Sequence, residues 1–156
     1  MDNESLKTKI AQWEPEAEFE ETGTQKVQLL NAIITPDKLL DLANKLRNEE
    51  DMNFNFMYCL TCVDFPEHFM MVYHLRSTEL QHEMVLKVKI ENKEKPEVET
   101  LCNIWRTAEY HEREVYDLFG VVFKNHPDLR RLLLTDDWEG HPLRKDYVDP
   151  VNMISL

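Results

Sequence analysis

Apolar and polar residues alternate in the middle of the chain with the period of two that is typical of β-strands. Residues 54–63, 69–75 and 84–90 show this pattern, and the last of them is opposed by a polar set formed by Glu83, Lys87 and Lys89. One apolar and one polar face is typical of an antiparallel sheet that is covered on one side. The positions predicted on the core face are Phe54, Phe56, Tyr58, Leu60, Cys62, Phe69, Met71, Tyr73, Leu75, Met84, Leu86, Val88 and Ile90.

The residues before this sheet predict a helix, a connector and a buried strand. Ser5 is placed to cap a short helix whose apolar side carries Leu6, Ile10 and Trp13. Residues 14–21 are rich in glutamate and predict a solvated connector, whereas the β-branched run 27–34 predicts a buried strand.

A second helix is predicted from Thr35 and Pro36, because a hydroxyl followed by proline is typical of a helix start. Its apolar stripe consists of Leu39, Leu40, Ala43 and Leu46. From about Val98 the period becomes helical again, and Gly120 stands where that helix is expected to end. The stripe of this third helix consists of Leu101, Ile104, Ala108, Val115, Leu118 and Phe119.

Glu112 falls inside the third stripe, flanked by Trp105, Tyr116 and Phe119, while Glu109, Arg113 and Asp117 are predicted on the opposite, polar face. Desolvating an unpaired carboxylate costs several kcal/mol, so we expect Glu112 to pair with an arginine within the chain or across an interface. On this interpretation, replacing Glu112 by Ala destabilises the domain or its assembly by a few kcal/mol at most.

The predicted fold class is α+β: a mostly antiparallel sheet covered by helices on one face, followed by an extended C-terminal strap. We expect a single domain over residues 1–156. It divides into an acidic helical N-terminal segment (1–25), an α+β core (26–120) and the strap (121–156), which packs on the core and on partners. Several prolines, little helical period and balanced charges indicate that ion pairs hold the strap in place.

The charge of the chain restricts its partners. Eighteen Lys and Arg against 30 Asp and Glu give a formal net charge of -12, which repels nucleic-acid phosphates and anionic lipid head groups. No apolar run approaches the roughly 18 residues that a membrane span needs, and the N-terminus lacks the pattern of a signal peptide. The sequence therefore predicts a cytoplasmic protein that reaches a membrane only through a partner.

Cys59 and Cys62 form a C-x-x-C pair that is found in metal and redox sites. Because side chains alternate along a strand, positions three apart point to opposite faces and cannot share one metal ion. Cys102 is the one further cysteine, which leaves too few thiolates for a four-cysteine cluster. We therefore expect structural cysteines.

A stand-alone metal-dependent hydrolase is an alternative of a different class. Its candidate cluster is His111, Glu112, His126, Asp128, Asp136, Asp137 and His141. A zinc-protease helix needs His-Glu-x-x-His, but the position four residues after His111 is Val115. We instead expect His111 to be a hydrogen-bonded core histidine, and His126 and His141 to be turn residues before prolines.

Three motifs in the second half resemble the signature of the 30 kDa, C-type subunit family of respiratory complex I (NADH:quinone oxidoreductase). They cover about a quarter of the chain and read Glu112-Arg113-Glu114-x-x-Asp117-x-x-Gly120, His126-Pro127-Asp128-Leu129-Arg130-Arg131 and Asp137-Trp138-x-Gly140-x-Pro142-Leu143-Arg144-Lys145-Asp146-Tyr147. The departures are slight: Val121 stands where Ile is common, and Val148 and Asp149 precede Pro150. The chain does not resemble the fused form in which the C-type and D-type subunits share one polypeptide.

The resemblance implies a non-catalytic structural subunit of the peripheral arm of a proton-pumping complex I, on the cytoplasmic side of the bacterial inner membrane. It implies contacts chiefly with the D-type and B-type subunits, and no cofactor in this chain, since NADH, FMN, iron–sulfur clusters and quinone belong to partner subunits. An equivalent subunit of a membrane-bound hydrogenase or a ferredoxin-dependent complex is the alternative, because no residue here names the electron donor. The motif positions, of which some are expected to hold the strap and others to face a partner, are Glu112, Arg113, Asp117, Arg130, Arg131, Arg144, Lys145 and Asp146.

Overall fold

The computed structural model describes residues 2–24 and 27–149. A 3-10 turn over Pro36–Lys38 leads into the second helix. The helices and strands are, in chain order, α1 (Asn3–Trp13), β1 (Glu18–Thr24), β2 (Val27–Ile34), α2 (Leu39–Asn48), β3 (Phe56–Asp64), β4 (Phe69–Arg76), β5 (Glu83–Ile90), β6 (Glu97–Glu99), α3 (Ala108–Phe119) and β7 (Val122–Lys124).

The main sheet has the strand order β1-β2-β5-β4-β3. Its neighbouring strands are antiparallel except for β2 and β5, which run parallel with Ala32 opposite Leu86. Strands β6 and β7 form a separate parallel pair in which Val98 lies opposite Phe123. The predicted α+β class with a mostly antiparallel sheet is confirmed, whereas neither parallel pair was predicted.

The core lies between the helices and one face of the main sheet. Helix α1 packs against β2, and α3 packs against β3. Tyr73, Phe54, Phe69 and Phe123 are among its largest fully buried side chains, and burying each such aromatic ring contributes about 1.5–3 kcal/mol. All the predicted core positions of β4 and β5 are buried. None of the helices within the described residues is long and apolar enough to cross a membrane.

Strand β3 carries a bulge that the alternation did not reveal. The pairing with β4 shifts between Met57 and Cys59, so that Tyr58 is the extra residue. An extra residue reverses which side chains face the core. Phe56 and Tyr58 are therefore 42% and 37% exposed while Met57 is buried, and the prediction of a core position for these two aromatics was wrong. After the bulge, Leu60 faces the core as predicted.

The N-terminal region differs from expectation at two places. Asp2 rather than Ser5 caps α1, because the Asp2 carboxylate accepts the backbone N–H of Ser5 at 2.9 Å. The acidic connector predicted over 14–21 is in part an edge strand, since β1 begins at Glu18 and pairs with β2. Acidic side chains are common on edge strands, where they discourage pairing with other chains.

The second and third helices also differ in detail from the predicted stripes. In α2, Leu42 takes the buried place that was assigned to Leu40, which is 38% exposed. Helix α3 starts at Ala108 rather than near Val98, because Val98 belongs to β6 and pairs with the distant β7. Gly120 ends α3 with a φ of 74°, as predicted.

Candidate functional site

The signature positions gather where the strap crosses α3. Arg113 and Asp117, which were predicted on the polar face of the helix opposite the apolar stripe, are 5% and 0% exposed. The strap lies over that face, and its backbone contacts both side chains. The polar residue types of this face were predicted, whereas its burial was not addressed, because helical period alone does not reveal a covering segment without regular structure.

Asp117 anchors the strap to α3. One carboxylate oxygen accepts the backbone N–H groups of Leu132, Leu133 and Leu134 at 3.0, 2.7 and 2.9 Å. The other oxygen accepts the Arg131 guanidinium at 2.8 Å. Burial alone would raise the pKa of Asp117, but these donors outweigh it and lower the pKa to about 2. The carboxylate is therefore ionised and fully hydrogen-bonded inside the protein.

Two arginines extend this anchor along the strap. Arg131 also donates to the backbone carbonyls of Trp138 at 2.9 Å and Gly140 at 3.1 Å, which ties together two turns of the strap. Arg113 donates from α3 to the carbonyls of Arg130 and Arg131 at 3.2 and 3.1 Å. Guanidinium groups suit this role because one side chain offers several donors in a fixed plane.

The last signature motif fastens the strap to the end of α3, to the end of β3 and to the segment after β5. The Arg144 guanidinium donates to the carbonyls of Phe119 at 2.7 Å and Lys93 at 3.2 Å. The backbone N–H of Lys145 donates to Asp64 at 2.9 Å. Asp64, the last residue of β3, is buried and is also paired with Lys93, and those donors outweigh the effect of burial to lower its pKa.

The remaining signature residues are exposed. Arg130 pairs at 2.9 Å with Asp128, and both side chains are largely open to solvent. The side chain of Lys145 and that of Asp146 lie at the surface. The structure thus separates an internal group, Glu112, Arg113, Asp117, Arg131 and Arg144, from an exposed group, Arg130, Lys145 and Asp146. That the exposed group faces a partner stays a prediction.

Glu112 is 0% exposed, but its predicted arginine partner was wrong. Its carboxylate accepts the N–H of Leu101 at 2.7 Å and the hydroxyl of Thr100 at 2.5 Å, together with the Cys102 thiol at 3.4 Å. Within the described residues its one basic neighbour is His126, 3.8 Å away. Burial is the largest influence on its pKa, which is raised. A sequence does not show which backbone N–H groups will lie near a side chain, so the prediction from charge alone named the wrong partner for Glu112.

Cys102, Glu112 and His126 form the one group of three potential metal ligands within the described residues, with ligand atoms within 4.8 Å of one another. His126 Nδ1 accepts the N–H of Asp128 at 3.0 Å, which places the ring proton on Nε2. Nε2 in turn donates to the carbonyl of Glu109 at 3.0 Å. Both ring nitrogens are therefore engaged, and hydrogen bonding accounts for the cluster without a metal ion.

Three histidines on α3 and the strap, His111, His126 and His141, make contacts that were not predicted. His111 is half-buried rather than in the core, and its Nδ1 bonds to the Thr107 carbonyl at 2.9 Å. His126 and His141 do precede prolines, but their rings also fasten the strap to α3. His141 Nδ1 donates to the Asp117 carbonyl at 2.9 Å, beside the carboxylate that anchors the strap.

Replacing Glu112 by Gln and by Ala distinguishes its hydrogen bonds from its charge. The Ala variant is expected to lose about 2–4 kcal/mol of unfolding free energy, because it leaves buried donors without an acceptor. The Gln variant keeps an acceptor and is expected to remain close to wild type. Urea unfolding of both variants, with the exposed Glu114 replaced by Ala as control, measures the difference. Full stability of the Ala variant would contradict the buried hydrogen-bond account.

The pH dependence of the same variants follows from the raised pKa of Glu112. Because the fold favours the protonated acid, wild type is expected to lose stability as the pH rises through that raised pKa. Glu112→Gln has no such proton to lose, so its stability relative to wild type should increase as the pH rises above 4.5, the ordinary pKa of a glutamate. Urea midpoints measured from pH 4 upward test this, and a stability difference that does not change with pH above 4.5 would contradict the raised pKa.

Comparisons with known proteins agree with the signature. Residues 32–151 match the family described as "Respiratory-chain NADH dehydrogenase, 30 Kd subunit". The NADH-quinone oxidoreductase C subunit from Roseiflexus sp. (strain RS-1) is 42% identical over 120 residues, which are 75% of this chain and 68% of that protein. The NADH-quinone oxidoreductase C/D subunit from Phocaeicola vulgatus is 43% identical over 124 residues, 79% of this chain and 24% of that protein.

A solved structure is also similar. It is a chain in the structure of the membrane-bound sulfane sulfur reductase, an archaeal respiratory membrane complex. The TM-score is 0.77 at 29% sequence identity, and the match covers 95% of this chain and 86% of that one. The similarity extends over nearly the whole chain.

Proposed function

This chain belongs to the family of the 30 kDa subunit of respiratory-chain NADH dehydrogenase, and on that premise we propose that it is a structural, non-catalytic subunit in the peripheral arm of a proton-pumping NADH:quinone oxidoreductase. The predicted membership of the C-type subunit family is confirmed. The structural role is supported by the hydrogen bonds that the signature residues form within the chain. The polar atoms of Asp117, Arg131 and Arg144 form hydrogen bonds that hold the strap in place.

We propose that this chain has no catalytic residue, because its buried carboxylates are enclosed by the protein. A general acid or base must lie within hydrogen-bond reach of a substrate. Glu112 and Asp117 are both 0% exposed, and protein donors surround both carboxylates. Their interactions fit an internal scaffold rather than a reaction centre.

We extend the proposal to the cofactors, so that flavin, iron–sulfur clusters and quinone would be held by partner subunits. Cys62 is buried on one face of β3 and Cys59 lies on the other. Cys102 donates to Glu112, and burial raises its thiol pKa to about 12, which disfavours the thiolate that metals bind. Three separated thiols of this kind do not match a four-cysteine cluster.

The outer surface of the strap is the proposed contact with the rest of the complex. Leu133, Leu143 and Val148 are 63%, 52% and 77% exposed, although the backbone around them is anchored from beneath. Exposed apolar side chains on a preorganised segment are typical of a protein interface. The occupants are proposed to be the B-type and D-type subunits, on the cytoplasmic side of the inner membrane. The C/D relative supports the second of these, because its name places both subunits in one polypeptide.

A related respiratory complex with another electron donor is the second candidate, favoured by the similarity to a sulfane sulfur reductase chain. The two NADH-quinone oxidoreductase relatives are more similar in sequence, at 42% and 43% identity against 29%. The first candidate is therefore preferred. Identification of the electron-input subunits that accompany this chain separates the two.

Replacing Leu133 and Leu143 together by Asp tests the proposed contact surface. We expect the variant to keep wild-type unfolding but to recover at least roughly tenfold less of the partner subunits, since burying two charges in an interface costs several kcal/mol. The matched control is Leu80→Asp, an exposed leucine in the turn between β4 and β5. Equal recovery from the strap variant and the control would place the contact surface elsewhere.

A further inference from the structure

The strap contains an open cleft of about 330 Å³ whose wall combines aromatic rings with carboxylates. The rings belong to Trp138 and Tyr147, and the carboxylates to Asp137, Glu139 and Asp149. Tyr147 is held in place against Gly140, where a φ of 82° and the absence of a side chain let the ring approach closely. The cleft is thus a formed feature of the strap rather than a gap between loose side chains.

The aromatic and carboxylate side chains of this wall favour the binding of a cation. Aromatic faces and carboxylates both attract a guanidinium or ammonium group, and they do so more strongly together. No lysine or arginine lines the cleft in the part of the chain that the structure describes. Residues 150–156 contain no lysine or arginine either.

Trp138, one of the residues that line the cleft, also has a polar atom without an acceptor. The indole Nε1 of Trp138 is buried, and it has no hydrogen-bond partner among the described residues. A buried N–H group of this kind is normally satisfied, and a backbone carbonyl is a common acceptor.

We propose that this cleft, called here the strap cleft, receives a lysine or arginine side chain from a neighbouring subunit of the complex. The inference rests on the proposed function, which supplies the neighbouring subunit. The net charge of -12 adds a long-range attraction toward a basic partner segment. The strap cleft would then fix the register of the contact, while the exposed leucines of the strap add apolar area.

A photoreactive residue in place of Val148 tests which polypeptide segment occupies the cleft. Val148 lines the cleft and is 77% exposed, so p-benzoylphenylalanine at this position is expected to form an adduct with another subunit in the assembled complex. Mass spectrometry should map the adduct to a peptide that contains Lys or Arg. The same residue at Leu80 is the control. An adduct with residues 150–156, with a second copy of this chain, or with a peptide lacking basic residues overturns the proposal.

Charge removal provides the second test. Asp137→Asn with Glu139→Gln is expected to lower recovery of partner subunits roughly fivefold at moderate salt, with a smaller deficit at high salt where wild type is also weakened. Asp136→Asn, an exposed carboxylate outside the cleft, is the matched control and should behave as wild type. Unchanged recovery from the cleft variant, or an equal loss in the control, overturns the inference. A wild-type chain that recovers no partners would instead contradict the proposed function.

Discussion

Replacing Asp117 by Asn is expected to detach the strap from α3 and to lower the unfolding free energy by about 3–5 kcal/mol. The carboxylate accepts three consecutive backbone N–H groups and the Arg131 guanidinium, and it is 0% exposed. An amide presents its own N–H groups to some of those donors and leaves the half-buried Arg131 without its counter-charge. Urea unfolding measures the loss, and limited proteolysis should show faster cleavage within 121–149.

The charge of Asp117 also predicts how the strap responds to acid. Its pKa is lowered from 3.8 to about 2, which corresponds to about 2 kcal/mol of stability at neutral pH. Because the lowered value belongs to the folded state, this stability is fully present above about pH 4 and is lost as the pH falls toward 2. The Asn variant should lack that part of the acid dependence, which pH-dependent unfolding can measure.

The matched control for Asp117 is Asp128→Asn. Asp128 is also paired with an arginine of the strap, but both side chains of that pair are largely exposed. Exposed ion pairs contribute about 0–1 kcal/mol, so the control should remain close to wild type. If the two variants lose equal stability, the anchoring role assigned to Asp117 is wrong.

Replacing Gly120 by Ala is the second change with a large expected effect. Gly120 has a φ of 74°, and an added Cβ would lie 2.5 Å from the His141 ring. The backbone strain costs about 1 kcal/mol or more, and the ring must move away from the Asp117 carbonyl that it now contacts. We expect a total loss of about 2–4 kcal/mol in thermal or urea unfolding.

A double-mutant cycle separates the two contributions at Gly120. In a His141→Ala background the clash is removed, so Gly120→Ala should then cost only the backbone strain of about 1 kcal/mol. The coupling between the two positions is expected to account for the remainder. A cost that does not change in the His141→Ala background would show that the ring does not restrict this position.

The sequence predicted the sheet best where alternation was uninterrupted. In β4 and β5 every predicted core position is buried, and the pairing between these two strands has no register shift. In β3 the bulge at Tyr58 inverts the pattern, and nothing in the local alternation marks it. The parallel pairing of β6 with β7 joins segments that only the folded chain brings together, so the predicted start of α3 was about ten residues too early.

The residues of the candidate site could be predicted from the sequence, but their hydrogen-bond partners could not. The signature identified Asp117, Arg131 and Arg144 by resemblance, while their partners are largely backbone groups of the strap and of neighbouring turns. The same limitation explains Glu112, for which charge matching suggested an arginine and the structure provides Thr100 and Leu101. Helical period also gave no indication that Asp117 is buried, because it takes no account of an irregular segment that covers a helix.

The measurement that tests the central claim most directly is a mild-detergent purification of the tagged chain from native membranes, followed by mass spectrometry of the proteins that accompany it. We predict recovery of quinone-site and iron–sulfur subunits of an NADH:quinone oxidoreductase, and their loss from the Leu133→Asp, Leu143→Asp variant. A wild-type chain that purifies alone in folded form would contradict the proposed role, although it would leave the fold and the anchoring of the strap unchanged.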